Sequence, residues 1–257
     1  MVKVTPDVLL RSTSSANKKG DETFKNLMGK TTHLYMNNKN IDDAGDAFNH
    51  CTRLQVLYLY ENNLTAIPKL SSNTCLTHLY LQQNNISRIC GLESLVNLEK
   101  LVLSGNKVAV LEGLESQKNL RDLRIDHQRL PTGEGIIVDP RSTLTLKALR
   151  NLDISRSGLS CLEGLEHLTN LERLDLRSNR LSNETELSNY LSQTPKLKDL
   201  TIAGNPLSKI PRINEKIIVS ARNLEILDGK EIPTSRRKFI EGLLIQISLP
   251  KKAQQAL

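Results

Sequence analysis

The sequence repeats itself at an interval of 22 residues, and that interval limits what it can fold into. The pattern LxxLxLxxNxL runs through Leu54-Leu57-Leu59-Asn62-Leu64, Leu76-Leu79-Leu81-Asn84-Ile86 and Leu98-Leu101-Leu103-Asn106-Val108. Leu120-Leu123-Ile125-Gln128-Leu130 follows at the same interval. Leu149-Leu152-Ile154-Ser157-Leu159 comes after 29 residues, so seven are inserted. Leu171-Leu174-Leu176-Asn179-Leu181 and Leu197-Leu200-Ile202-Asn205-Leu207 complete the series, after 22 and 26 residues. A weaker first copy, Leu34-Met36-Lys39-Ile41, makes eight, and Leu224-Leu227 is a terminal remnant. Each LxL pair lies on one face of a short strand, because side chains alternate. One such strand cannot bury its leucines alone, so the copies must stack and share one long core.

These positions are those of the leucine-rich repeat. The expected fold is α/β: a leucine-rich-repeat solenoid, a curved arc with a concave parallel β-sheet and short helical or 3₁₀ returns on its convex side. Twenty-two residues leave no room for a longer return. The Asn that follows each strand both donates and accepts, so it can satisfy backbone groups of adjacent turns. In three returns, Cys90-Gly91-Leu92-Glu93-Ser94-Leu95, Glu112-Gly113-Leu114-Glu115-Ser116-Gln117 and Glu163-Gly164-Leu165-Glu166-His167-Leu168, a leucine should plug the core from the convex side. The repeats are expected over 31–209, with an inserted loop near 131–141. Residues 1–30 form an N-terminal cap segment, where Asp21-Glu22 before Phe24, Leu27 and Met28 suits a short helix. Residues 210–257 form a C-terminal cap and a basic amphipathic helix and tail. Thr234 is a candidate N-cap there, with Phe239, Leu243, Leu244 and Ile247 on one apolar face. Helical caps at both ends would cover the open core.

With the leucines inside, the alternating strand residues face outward on the concave side. Only 3% of the chain is aromatic, yet four of its five tyrosines, Tyr35, Tyr58, Tyr60 and Tyr80, fall on this surface. Tyr35, Tyr58 and Tyr80 occupy one position on three consecutive strands, so their rings should form a ladder with a spacing of about 4.8 Å. Farther along come Arg124, Asp126, Asp153, Arg173, Asp175 and Arg177, a checkerboard of charge. An aromatic patch beside a mixed-charge patch suits a protein partner. Two plainer readings stand beside it: the tyrosines pack only on one another, and the Arg/Asp groups pair internally. The formal net charge of +7 belongs to the ends. Residues 31–205 carry 19 basic and 20 acidic side chains, whereas 1–30 and 206–257 are net +3 and +5. Arg236-Arg237-Lys238 and Lys251-Lys252 are either solvated or in touch with an acidic partner, such as nucleic acid or the tails of tubulin. No RNA-reading aromatic motif accompanies them.

Catalytic signatures fail on inspection, and the expectation is a binding protein, not an enzyme, with no cofactor and no metal. Gly29-Lys30-Thr31 resembles the end of a phosphate-binding loop, but Phe24 stands where the first glycine is required. There is no HExxH or GxSxG, and His33 and His78 lack a third ligand. Cys51, Cys75, Cys90 and Cys161 have no zinc spacing and read as reduced thiols of a cytosolic or nuclear protein. No apolar run reaches the roughly 18 residues of a membrane span, and the first twenty residues lack a signal-peptide core. Three Asn-x-Ser/Thr sequons, two of them by-products of the repeat, are therefore discounted.

The GLExL returns, the Asn205-Pro206 turn and the stretch Asn223-Leu-Glu-Ile-Leu-Asp-Gly-Lys-Glu-Ile232 resemble the 22-residue leucine-rich-repeat subfamily that contains regulators of protein phosphatase 1. Four further stretches are similar to one phosphatase-regulatory branch of it. They are Thr32 through Ile41, Val56 through Tyr60, Thr77 through Gln82, and the insertion from Gln128 to Arg141. The resemblance implies a non-catalytic scaffold that holds the phosphatase catalytic subunit at centrosomes, basal bodies or microtubules; before it binds a partner the chain is expected to be a monomer. Its concave face would use aromatic and acidic side chains, here Tyr58, Tyr80, Asp153 and Asp175. The chain has no [Lys/Arg]-[Val/Ile]-x-[Phe/Trp] docking peptide, so such a contact would use the folded arc. Similar arcs also serve in axonemal or ciliary assembly and in ribonucleoprotein scaffolds, which remain the alternative readings.

Overall fold

The computed structural model describes residues 3–13 and 24–248. Two short helices, α1 (Pro6–Arg11) and α2 (Phe24–Lys30), precede the first strands: β1 (His33–Tyr35), β2 (Val56–Tyr58), β3 (His78–Tyr80) and β4 (Lys100–Val102). Then come β5 (Val110–Leu111), β6 (Asp122–Arg124), β7 (Ile137–Val138), α3 (Pro140–Thr145), β8 (Asn151–Asp153) and β9 (Arg173–Asp175). The chain continues with α4 (Glu184–Ser192), β10 (Asp199–Thr201), a 3₁₀ turn (Pro206–Lys209), α5 (Ile213–Ser220), β11 (Ile226–Leu227), β12 (Lys230–Glu231) and α6 (Thr234–Ser248). One ten-stranded sheet runs β1-β2-β3-β4-β6-β8-β9-β10-β11-β12, parallel up to the antiparallel last pair. This is the expected solenoid. The repeat leucines, from Leu34 to Leu207, form one continuous buried core, with Leu130 half-buried against it, and Leu92, Leu114 and Leu165 close it from the convex side at 0% exposure.

The turn asparagines fix how the coils stack. Asn84 Nδ2 donates to the Leu81 carbonyl of its own coil (3.0 Å) and to the Leu59 carbonyl of the coil before (2.9 Å). Its Oδ1 accepts the Leu64 N–H of that earlier coil (3.0 Å). Asn62, Asn106, Asn179 and Asn205 make the same bonds. Gln128 takes over the cross-coil bonds through its longer side chain, donating to Leu103 and accepting from Val108. Ser157 reaches the coil before it through its hydroxyl, which donates to Ile125 at 3.0 Å and accepts the Gln128 N–H at 3.4 Å. A residue in the left-handed region precedes each of these, among them Glu61 (φ 56°), His127 (φ 54°) and Ser178 (φ 54°), and swings the chain out of the sheet. Gly113 has a tighter reason for lacking a side chain: at φ 73°, a Cβ would meet the Ile89 carbonyl oxygen at 2.3 Å.

Both edges of the sheet are covered, which blocks end-to-end pairing with other chains. At the first edge, the Tyr35 N–H donates to the Ser12 carbonyl (3.0 Å), and Thr13 bridges Leu34 in the antiparallel sense. At the last, β12 folds back on β11. Leu9 and Met28 seal one end of the core, and Ile213, Ile217, Ile218 and Ile240 seal the other.

Three expectations need amendment. The seven-residue insertion leaves the sheet uninterrupted: β8 pairs directly with β6, and the added length makes β7, which pairs with β5, and α3. Gly135 crosses the next coil so closely that a Cβ would lie 2.0 Å from the Gly158 carbonyl oxygen. On α6, Phe239 is not in the apolar seal but 66% exposed, and Ile240 is buried in its place. The helix is rotated because Arg237 points inward, donating to the Ile218, Ala221 and Leu224 carbonyls. Thr234 is the first helical residue, one position later than a cap. The side chains of Leu244 and Ile247, like Asp21, Glu22, Lys251 and Lys252, lie outside the described residues.

Asn106→Leu should lower stability in urea denaturation by about 3 kcal/mol, because two buried carbonyls and one N–H lose their partner. Asn97→Ala, which removes one exposed bond to Thr74, should cost under about 1 kcal/mol. Burial raises the Cys51 thiol to about pH 11, while Cys75, Cys90 and Cys161 are exposed. A thiol-titrating reagent at pH 8 should therefore label the three exposed cysteines in the folded chain and Cys51 only after unfolding.

Candidate protein-binding face

Parallel pairing in constant register lines up the outward residues in rows. One row reads Tyr35, Tyr58, Tyr80, Val102, Arg124, Asp153, Asp175 and Thr201, neighbours paired strand to strand. The row before it reads His33, Val56, His78, Lys100, Asp122, Asn151, Arg173 and Asp199. Tyr60, Asp126 and Arg177 stand two positions after their strands' Tyr58, Arg124 and Asp175, in a third row.

The tyrosines do form a ladder. The rings of Tyr35 and Tyr58 stack at 4.8 Å and 6°, and those of Tyr58 and Tyr80 at 4.9 Å and 10°. Tyr60 meets Tyr58 edge-on at 6.4 Å and 88°. Lys100 Nζ lies 6.0 Å from the Tyr80 ring centre, at the limit of a cation–π contact. The packing reading is thus correct for the ring faces. The ring edges and hydroxyls stay uncovered: Tyr35 is 45% exposed, and Tyr58, Tyr60 and Tyr80 are half-buried. Burial, then the Tyr35, Tyr80 and Tyr60 phenols, raise the Tyr58 hydroxyl above its ordinary range, so it is a neutral donor at physiological pH.

The charged half is partly paired. Lys100 bridges to Asp122 at 2.8 Å, and Arg124 reaches the same carboxylate at 3.6 Å. Arg177 holds Asp175 with Nε at 2.8 Å and Nη2 at 2.5 Å. Asp126 takes the Ser104 hydroxyl and sits 2.6 Å from His127 Nδ1. Asp153 differs. It accepts the Ser155 N–H at 3.1 Å and has no ion pair among the described residues. Burial raises its carboxyl above the usual range; the Ser155 hydrogen bond opposes this, and Asp126 and Asp175 add to it. Exposed Arg173 and half-buried Asp199, neighbours in register, likewise have no ion pair among the described residues. A groove of about 330 Å³ runs over this region, lined in part by Arg124, Asp153, Arg173, Asp175 and Arg177.

All ten expected residues therefore lie on one surface, the tyrosines at its N-terminal half and the charges at its C-terminal half. Sequence reasoning missed Lys100 as the link between the two halves, and Ser104 and His127 as partners of Asp126. Strand register would have found Lys100, which stands beside both His78 and Asp122. Of the basic run at 236–238, Arg237 is taken up inside the C-terminal cap. Among the described residues, no group of three or more His, Cys, Asp or Glu is placed to hold a metal ion, and no helix is long and apolar enough to cross a membrane.

Comparison with known proteins agrees with this architecture. A family profile described as Leucine Rich repeats (2 copies) matches residues 52–94, and one described as Leucine Rich Repeat matches 170–193. Acidic leucine-rich nuclear phosphoprotein 32 family member A of Drosophila melanogaster is 36% identical over 81 residues, 32% of this chain and 29% of that protein. Leucine-rich repeat- and IQ domain-containing protein 1 of Mus musculus is 29% identical over 104 residues, 40% of this chain and 6% of that protein. The chain thus spans under a third of the length of these curated relatives. Among solved structures, an internalin C2 from Listeria monocytogenes superposes with a TM-score of 0.66 at 20% identity, covering 86% of this chain and 91% of that one. An internalin (inlF) from the same species also gives 0.66, at 22% identity, with coverage of 84% and 59%. By repeat pattern, by coil geometry and by these likenesses, the chain folds as a leucine-rich-repeat solenoid.

Proposed function

We propose that this chain is a non-catalytic scaffold that holds the catalytic subunit of protein phosphatase 1 on its concave face, at centrosomes, basal bodies or microtubules. The observation that carries the reading is the tyrosine ladder, a row of large amphipathic side chains with no element over it among the described residues. Tyrosine hydroxyls and ring edges supply contact area with little side-chain entropy to lose, which is why tyrosines recur as interface anchors. The resemblance of about residues 1–240 to protein phosphatase 1 regulatory subunit 42, the testis leucine-rich-repeat protein, supports that choice of partner. The face also combines the aromatic and acidic side chains that the resemblance implies, Tyr58 and Tyr80 with Asp153 and Asp175. The basic residues of the C-terminal cap suit the acidic tails of tubulin.

Purified phosphatase 1 catalytic subunit should bind the full chain in isothermal titration. The double variant Tyr58→Ala, Tyr80→Ala should weaken it by about 2 kcal/mol or more, with an unchanged far-ultraviolet spectrum. Equal affinity for variant and wild type would remove the concave face from the contact. No binding to the wild-type chain would remove the phosphatase.

A further inference from the structure

We propose that the segment held on the concave face is basic: it sets an aromatic or large aliphatic side chain against the tyrosine ladder and a Lys or Arg against Asp153. This rests on the reading of the concave face as the partner site and adds the chemistry of what it takes.

The ladder defines one end of the footprint. Its ring faces are stacked on one another, so a partner meets edges and hydroxyls, and beside Tyr80 the row continues into Val102, 6% exposed. That floor favours an apolar anchor with polar atoms at its margin.

Charge complementarity defines the other end. Lys100, Arg124 and Arg177 each have a carboxylate on the same face. Arg173 has none, but it is exposed and its hydration is intact. Asp153 is half-buried between Asp126 and Asp175, with its Ser155 hydrogen bonds and the field of Arg177, itself bound to Asp175, to offset its lost hydration. A charge already partly stripped of water gains more from an incoming counter-charge than a solvated one does. An incoming acid would meet three neighbouring carboxylates instead.

The register sets the spacing. Asp153 lies in the same row as Tyr80, three strands on, hence about 14 Å away at the inter-strand distance. An extended segment covers that span in about four residues. The occupant is therefore an extended stretch lying across the strands, with a basic residue about four positions from its apolar anchor.

The test is selection of a random twelve-residue peptide library on the immobilised full chain, followed by affinity measurements on synthetic copies of the enriched peptides. Enriched sequences should pair an aromatic or large aliphatic residue with Lys or Arg three to five positions away. Their affinity should fall about tenfold with Asp153→Asn and again with Tyr58→Ala, but not with Asp46→Asn, which is off this face. Matching thermal midpoints of the variants would exclude a folding effect. Enrichment of acidic or uncharged peptides, or no enrichment at all, overturns the proposal. Loss with Tyr58→Ala but not with Asp153→Asn overturns the basic occupant and leaves the concave site standing. Binding that survives both substitutions overturns the concave site itself.

Discussion

Everything else in this molecule depends on the amide side chains that cross from one coil to the next. Leucines supply the larger free energy of burial, but that attraction has no direction and would tolerate coils that slip or tilt. A buried amide with fixed donors and acceptors does not tolerate slippage, since one residue of slip would leave a carbonyl and an N–H of the neighbouring coil unpaired. The ladder from Asn62 to Asn205 therefore sets the register. The register sets the rows of the concave face, and the inter-strand distance becomes the stacking distance of the tyrosine rings.

The face divides according to how fully its groups satisfy one another. The tyrosine rings use their π-surfaces on their neighbours, and most of the arginines and aspartates are matched. What is left is narrower than the residue list suggests: a line of hydroxyls and ring edges, an apolar floor at Val102 and, among the described residues, two half-buried carboxylates without an ion pair, Asp153 and Asp199. A surface of this kind is rigid before it meets a partner, which limits the entropy lost on association.

The repeating part of the fold was legible in the sequence because a 22-residue period leaves little freedom: naming Leu57, Leu79 and Leu101 as inward already makes Tyr58 and Tyr80 neighbours. Where the period lapses, so does the legibility. The insertion gave no signal that Ile137 and Val138 would pair with Val110 and Leu111, since that pairing is between segments far apart in sequence. The face of α6 could not be read from its apolar residues alone. Phe239 and Ile240 offer competing stripes, and the choice is made by Arg237, which turns inward to reach carbonyls that a helical wheel does not show. The charge checkerboard was visible, but which aspartates lack a cation depends on side-chain reach.

The cross-coil amides also give the stack a polarity. Each asparagine oxygen serves an N–H in the coil before it, never the coil after it: Asn84 serves Leu64, and Asn205 serves Leu181. Losing the first coil strands the Asn62 side chain together with sheet partners such as the Val56 N–H and the Tyr58 carbonyl. Losing the last strands backbone groups inside the coil that is left, and that coil is then primed to open in its turn. The sheet bonds are lost alike at either end, so the amides alone make the C-terminal end the costlier one to open. The heavier closure is found at that end: Asp228 takes the Ile202 and Ala203 N–H groups, β12 folds back on β11, and Arg237 bolts α6 across the last carbonyls.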